Sequence, residues 1–316
     1  MILVYVDHDR GAVDEPSLQA ITFARSIDSD VHAFVAGADG AAVAASLGEY
    51  GVSVAHVASH PGMTDFAPQA AGRALAQLAQ MTSPKAVLAT SGARGNEVLA
   101  HAAAILDEPF AAECVEIAVG SPAAVTRLRW GGNLLEQAKV HCNNVLVASV
   151  PPFTVAAEPA ATTCAVEMFT PELSAADTAV KVVDRVAGQA VGVSLAEAKV
   201  IVSGGRGVGA AELWGPLEEL ASLMQAALGC SRVVTSNGWR PHSEQVGQTG
   251  TKVAPELYIA CGISGATQHI AGCKKSKTIL AINTDGEAPI MTHADYAIVG
   301  DLHEVLPAIS AAIRGR

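Results

Sequence analysis

Two short polar runs carry most of the chemistry in this chain. Gln245-Val-Gly-Gln-Thr-Gly250 and Ser264-Gly-Ala-Thr-Gln-His269 flank one apolar segment, Leu257-Tyr-Ile-Ala-Cys261. Turns of this composition bring backbone N–H groups and small hydroxyls close to a ligand, because glycine lacks the Cβ that would block the approach. Further polar groups stand just beyond other apolar runs of the C-terminal half: Arg206, Ser231 with Arg232, Asn283 and Asp301. If each run is a strand of one parallel sheet, these residues share its C-terminal edge. Open α/β sheets bind ligands in the crevice outside that edge.

Other groups carry less. Gly204–Gly209 invites a dinucleotide fingerprint, G-x-G-x-x-G. Counting from Gly207 puts Glu212 where the last glycine belongs; counting from Gly205 puts Ala210 there, with Val208 and Gly209 before it. The match is loose. Asp7, His8 and Asp9 are ligand types, but no matching cluster appears, and they read as exposed loop residues after a strand. Ser91-Gly-Ala-Arg-Gly95 reads either as a phosphate-binding helix N-terminus or as an ordinary strand-to-helix turn. Cys114, Cys142, Cys164, Cys230, Cys261 and Cys273 form no C-x-x-C pair, which argues against a metal site or redox dithiol. Several sit in apolar runs, as buried free thiols do, and they suggest a reducing compartment.

The elements that would position these groups alternate. In the N-terminal half, strands are expected at Ile2–Val6, Val31–Val35, Val52–Val57 and Ala86–Ala89, and helices at Ser17–Ile27, Ala41–Leu47, Ala67–Gln80 and up to Leu106. That order implies a mainly parallel sheet with helices on both faces. After Pro109 come Glu116–Val119, Val125–Trp130, Leu134–Val140 and Val145–Val150, with Gly131-Gly-Asn133 as a hairpin turn. The first domain is therefore expected to finish with antiparallel strands. Residues 151–170, rich in Pro, Ala and Thr, read as a linker or wandering connection, and Leu173–Gly188 as a strand and helix.

The domain boundary is expected near Leu195, giving 1–194 and 195–316. In the second domain, strands are expected at Lys199–Ser203, Leu257–Cys261, Thr278–Ile282 and Tyr296–Val299. A helix starts at Pro216, where proline's missing N–H costs nothing, with Glu218 and Glu219 at its positive end. Leu217, Leu220, Met224 and Leu228 suit one apolar stripe. Ala226–Cys230 either continues that helix or forms a strand; the strand restores the alternation. Leu302–Ile313 closes the chain as an amphipathic helix.

Composition narrows the function classes. The 316 residues suit two domains, and half of them are apolar. The formal charge is −11 and no basic patch stands out, which argues against nucleic acid as a partner. No apolar run reaches membrane-spanning length, and Ile2–Val6 already reads as a strand, so no membrane insertion is expected and a bacterial cytoplasmic protein is the simplest inference.

The same residues closely resemble the α subunit of electron transfer flavoproteins. The resemblance rests on Val202-Ser-Gly-Gly-Arg-Gly207, Gly229-Cys-Ser-Arg232, Gln245–Gly250, Ala254-Pro-Glu-Leu-Tyr258, Gly262-Ile-Ser-Gly-Ala266, Gln268-His269, Ala281-Ile-Asn283 and Ala294-Asp-Tyr296. The N-terminal half agrees in its strand–helix order and in Gly131-Gly-Asn133. The resemblance implies an α/β fold: an N-terminal α/β domain with added antiparallel strands, and a C-terminal parallel-sheet domain holding most of an FAD. It also implies a heterodimer with a β subunit, formed largely through the N-terminal domain. Such proteins carry electrons from flavin dehydrogenases, such as the acyl-CoA dehydrogenases of fatty acid oxidation, to a quinone oxidoreductase or another acceptor. They are carriers more than enzymes.

By position, the resemblance makes Arg206, Ser231, Gln245, Val246, Gly247, Gln248, Thr249, Ser264, Gly265, Ala266, Thr267, Gln268, His269, Asn283, Asp301 and Leu302 FAD contacts. Arg232 corresponds to a flavin-adjacent arginine, a fixed cation that would stabilise added electron density. Thr249 offers its hydroxyl to the N5 region. His269, in a helix starting near Ser264, would favour negative charge near N1 and C2=O through its imidazole and the helix N-terminus. The chain departs from the family at Thr251, where lysine is common, at Thr284 and Gly286, and at Asn237 and Arg240–His242. Two other readings stand beside the simple carrier: an electron-bifurcating, NADH-linked relative whose β subunit holds a second FAD, and a nicotinamide-dependent dehydrogenase.

Overall fold

Ile2–Val6 (β1) is buried at every residue, and its side chains alternate between two cores. Ile2, Val4 and Val6 pack with Ile21 and Ala24; Leu3 and Tyr5 pack with Leu75 and Leu99. Strands buried on both faces belong in the middle of parallel sheets covered by helices. The computed structural model describes residues 1–9, 11–37, 39–184 and 194–315. The chain divides into two compact units, Met1–Val186 and Ala187–Arg316.

In the first unit, β1 leads into a two-residue ladder, His8–Asp9 (β2) with Ala12–Val13 (β3), then α1 (Glu15–Ile27) and β4 (Val31–Ala36). Next come α2 (Gly40–Ala44), β5 (Val54–Ala58), α3 (Pro68–Thr82), β6 (Ala86–Thr90) and α4 (Ala93–Leu106). Asp14 caps α1, its carboxylate accepting from the Ser17 N–H, which satisfies a donor the helix leaves open. Four short strands follow: β7 (Phe110–Ala111), β8 (Cys114–Ala118), β9 (Ala123–Arg129) and β10 (Leu134–Val140). Then come β11 (Leu146–Val150) and β12 (Ala165–Phe169). The parallel sheet runs β12-β5-β4-β1-β6-β11-β7, and β10-β9-β8 form a separate antiparallel sheet. Trp130, Gly131 and Gly132 turn the β9–β10 hairpin at positive φ, as the Gly131-Gly-Asn133 signal implied.

Four expectations are corrected. Leu146–Val150, placed among the antiparallel strands, runs parallel to β6 from Leu146↔Ala86 to Val150↔Thr90. It is buried throughout, so it fits a sheet interior better than an edge ladder. The 151–170 stretch is not all connection: Ala165–Phe169 adds an edge strand on β5. Asp7, His8 and Asp9 are half-buried where exposure was expected. Of the strand and helix expected over Leu173–Gly188, residues 173–184 carry neither, and 185–188 lie outside the described residues.

The second unit contains β13 (Val200–Gly204), α5 (Gly215–Met224), β14 (Ala227–Cys230), α6 (Arg232–Ser236), β15 (Leu257–Cys261) and α7 (Thr267–Cys273). It ends with β16 (Ile279–Asn283), β17 (Tyr296–Val299) and α8 (Leu302–Arg314). Its all-parallel sheet runs β14-β13-β15-β16-β17. Gln225, left-handed at φ 52°, stops α5. Leu228 therefore sits on the strand, leaving Leu217 and Leu220 to the helix stripe. Tyr258 and Ala260 face α7, while Ile259 and Cys261 face α5 and α8.

Candidate functional site

The chain starts the second sheet at β13, goes to β14 on one side, and returns to β15 on the other. This reversal splits the loops apart at the C-terminal edge and leaves a crevice there. A cavity of about 610 Å³ occupies it, walled by the loops after β13, β14, β15 and β16 and by the Gln245–Thr249 turn. Its size is that of a small-molecule or cofactor site.

Glycines let these loops meet. Gly205 N–H donates to the Cys261 carbonyl at 2.8 Å, and Gly207 N–H to the Gly262 carbonyl at 3.0 Å. Any Cβ on Gly207 would come within 2.7 Å of the Gly262 Cα. Gly265 has φ 85° and lies against the Ile290 backbone, where no side chain fits. The Gln245–Gly250 turn is tied to β14 by Val246 N–H to the Cys230 carbonyl (2.9 Å) and to α7 by Gln248 N–H to the Gln268 carbonyl (2.8 Å).

The side chains divide by role. Gln245 is buried; it accepts from the Thr235 hydroxyl at 2.7 Å and donates through Nε2 to the Thr249 hydroxyl at 2.9 Å. Thr249 thus keeps its own hydrogen for a ligand. Asn283 braces two loops, donating to the Ile263 carbonyl at 2.9 Å and accepting from Asp285 N–H at 3.1 Å. Ser231 stands at the N-cap of α6 without making a side-chain cap. Arg206 and Arg232 are exposed, and among the described residues neither guanidinium has an ion pair. Arg240, by contrast, is consumed by Glu244, Glu218 and the Trp214 ring.

His269 differs from its expected role. It is 6% exposed, and burial pushes its imidazole down to about 4, the Val246 carbonyl opposing. It is a neutral donor or acceptor at neutral pH, not a cation. Its helix starts at Thr267 rather than near Ser264 and is only seven residues long. The fixed positive charge of the wall is therefore arginine. Burial also pushes the Cys230, Cys261 and Cys273 thiols up to about 12, so they stay protonated.

Of the expected contacts, the structure gathers all but three into the cavity wall. Thr267 is exposed at the start of α7. Asp301 caps α8 through His303 N–H, one strand beyond β16, and Leu302 is buried in the core against Gly262. The wall also contains Gly207, Val233, Ser236, Gly262, Ile263, Asp285 and Ala288. Gly207, Gly262 and Ile263 lie inside the motifs quoted above; the others follow strand ends and carried no signal of their own.

A parallel sheet with a glycine-built, arginine-lined crevice at its switch point defines a nucleotide-cofactor-binding α/β protein. The electron transfer flavoprotein domain matches residues 2–198, and the electron transfer flavoprotein FAD-binding domain matches residues 194–274. Electron transfer flavoprotein subunit alpha of Pseudomonas aeruginosa is 37% identical over 315 residues, covering 99% of each chain. The protein of that name from Mycobacterium tuberculosis is 38% identical over 319 residues, covering all of this chain and 98% of its own. That from Paracoccus denitrificans is 54% identical over 119 residues, 38% of this chain and 39% of its own. The chain belongs to the electron transfer flavoprotein alpha subunit family, and its C-terminal unit carries that family's FAD-binding domain.

The cavity fits this cofactor. Unpaired arginines suit a diphosphate, the positive-φ glycines allow backbone to approach it, and Thr249 and His269 offer neutral hydrogen bonds to a ring system.

Proposed function

We propose that this chain is the FAD-holding half of a heterodimer with an electron transfer flavoprotein β subunit. The pair carries electrons from flavin dehydrogenases, acyl-CoA dehydrogenases among them, to a quinone oxidoreductase or similar acceptor. FAD supplies the redox chemistry when bound. The observation that carries this reading is the cavity wall itself: unpaired cations and neutral donors on a rigid sheet edge. Its buried imidazole, His269, holds a fixed protonation state near neutral pH, which suits a carrier better than a proton-transferring enzyme.

In this reading Arg206 and Arg232 hold the anionic parts of the cofactor and favour added electron density by charge. Gln245 orients the Thr249 hydroxyl, and Gly247 and Gly265 admit backbone donors. His269 contributes an uncharged hydrogen bond. The named relatives are alpha subunits, which supports the β partner. A cytoplasmic place belongs to the same reading, since six free thiols suit a reducing compartment.

The test is stepwise anaerobic reduction of the chain co-expressed with its β subunit, with flavin counting. One FAD per heterodimer, reduced through a partner dehydrogenase and unreactive with NADH, supports the carrier. Two FAD with direct reduction by NADH would replace it with the bifurcating reading. A folded heterodimer without flavin would overturn both.

A further inference from the structure

Tyr258 has no exposed surface in the middle of β15, and its hydroxyl lies 2.9 Å from His269 Nε2. The rings are tilted at 53° with centroids 6.0 Å apart. Their surroundings are apolar: Ile201, Val246, Val253 and Ile270 belong to the same core. The titratable groups nearest the pair are the thiols of Cys273, in the same core, and of Cys230 and Cys261, in the core on the other face of the sheet, all held protonated by burial. Two polar groups complete the shell. The Ser203 hydroxyl is fully buried against Tyr258, outside good hydrogen-bond geometry, and the Val246 carbonyl lies by His269, whose buried Nδ1 likewise makes no hydrogen bond of good geometry among the described residues.

Counting hydrogens decides the arrangement. Burial disfavours both tyrosinate and imidazolium, so each side chain is neutral and has one mobile hydrogen. One hydrogen must lie between Tyr258 Oη and His269 Nε2. If Nε2 carried it, the buried Nδ1, which has no hydrogen-bond partner among the described residues, would be a bare lone pair with the Val246 carbonyl nearby, acceptor beside acceptor. If Tyr258 donates, Nδ1 carries the imidazole hydrogen and meets that carbonyl or a ligand with an N–H. The Tyr258 oxygen can then accept from Ser203, whose hydroxyl has no other partner. The tautomer is set by the bond the second nitrogen makes.

We propose that Tyr258 is a positioning residue: its hydroxyl donates to His269 Nε2 and so fixes the imidazole as an Nδ1–H donor at the cavity wall. The proposal rests on the reading that the flavin lies along this wall. It gives the site a specificity: the wall accepts a carbonyl or bare ring nitrogen opposite His269 and disfavours another donor there. It also makes the contact insensitive to pH across the neutral range.

The test uses the FAD-loaded heterodimer with ring-15N histidine, His269 being assigned by the signal lost in His269→Gln. The expected spectrum shows Nε2 as an unprotonated acceptor and Nδ1 as protonated, unchanged from about pH 5.5 to 8.5. Tyr258→Phe removes one oxygen and keeps the ring. It should give mixed tautomers and bind FAD roughly tenfold more weakly, the worth of one misdirected hydrogen bond. A wild-type His269 protonated on Nε2, or an unchanged tautomer in Tyr258→Phe, would overturn the proposal. The wild-type spectrum alone decides the direction of the bond if the variant does not fold. His269 signals that ignore removal of FAD would instead overturn the placing of the flavin, with the tautomer still judging Tyr258.

Discussion

At the C-terminal edge of the N-terminal sheet, Arg94 lies 3.3 Å from Asp7 and 4.8 Å over the Phe66 ring, whereas Arg206 and Arg232 on the other sheet's edge face a cavity. Both sheets are parallel, and both reverse direction at their first strand. The N-terminal edge encloses only about 80 Å³, lined by Tyr5, Asp7, Phe66 and Arg94 among others. The C-terminal edge encloses about 610 Å³. The topology offers a ligand site twice, and side-chain pairing decides which is open. On the N-terminal edge the Ser91–Gly95 segment sends its one cation to Asp7, so its charge is already used. The segment forms the strand-to-helix turn between β6 and α4, with no unpaired cation of its own among the described residues.

Glycine substitutions should separate the two edges most sharply. Gly265→Ala forces a Cβ into the Ile290 backbone at a φ that L-residues resist. Strain and overpacking together cost about 3 kcal/mol, so FAD retention should fall on the order of 100-fold by equilibrium dialysis. Gly95→Ala meets the Thr90 carbonyl just as closely. It should lower the unfolding midpoint by a similar energy while the folded fraction binds FAD normally. Equal losses of FAD in both variants would break the contrast.

Acid should act through Asp14 in one unit and His269 in the other with opposite signs. Burial pushes Asp14 up to about 6, against the Ser17 hydrogen bonds, and pushes His269 down to about 4. A raised carboxylate pKa means the native state takes up protons first, so the Asp14 contribution to the N-terminal unit grows as pH falls from about 6 to 4, against the opposite contribution of His56, whose pKa burial lowers. A depressed histidine pKa means the unfolded state takes them up first, so the C-terminal unit loses stability from about 6.5 down to 4. Each limb is worth about 2–3 kcal/mol. Hydrogen exchange resolved by unit, at pH 7 and pH 4.5, should separate the two contributions when each variant is compared with the unsubstituted protein. Asp14→Asn, which keeps the cap, should flatten the first limb, and His269→Gln the second.

Arginine truncation is expected to follow the same division at smaller scale. Arg232→Ala should weaken FAD by about 2 kcal/mol, roughly 30-fold, and lower its midpoint potential, because a cation beside the added electrons is gone. Arg94→Ala should leave both readings alone. Its cost is about 1–2 kcal/mol of stability, from the half-buried Asp7 carboxylate left without its partner. A shifted flavin potential in Arg94→Ala would mean that the N-terminal edge also touches the cofactor.

Much of this contrast was legible in the residues. Apolar runs ending at Ser203, Cys230, Cys261 and Ile282 located the strands of the second sheet to within a residue at their ends, and their polar followers located the cavity. Strand neighbours were harder. Leu146–Val150 reads alike in either sheet, because a fully apolar run does not name its partner. Ala165–Phe169 is mostly exposed at an edge, so no alternation marked it. Leu302 looked like a site residue beside Asp301, yet its apolar side chain goes to the core. The link between Tyr258 and His269 spans α7 and β15 and exists only in three dimensions, as does the burial that holds His269 neutral.

The smallest expected effect tests whether charge pairing matters away from these edges. On the free edge of the N-terminal sheet, Glu167 of β12 lies 3.2 Å from His56 Nδ1, which looks like an ion pair holding the strand. His56 is buried, and that burial, with His32 2.9 Å from its Nε2, lowers its pKa, so at pH 7 the imidazole is uncharged. Glu167 itself is 62% exposed and well solvated. The strand is held instead by its backbone ladder on β5, from Ala165↔Val54 to Phe169↔Ala58. Glu167→Gln should therefore shift denaturant stability by less than about 0.5 kcal/mol at pH 7. A loss above about 1 kcal/mol would show His56 to be charged, making this edge a place where pairing stabilises the sheet.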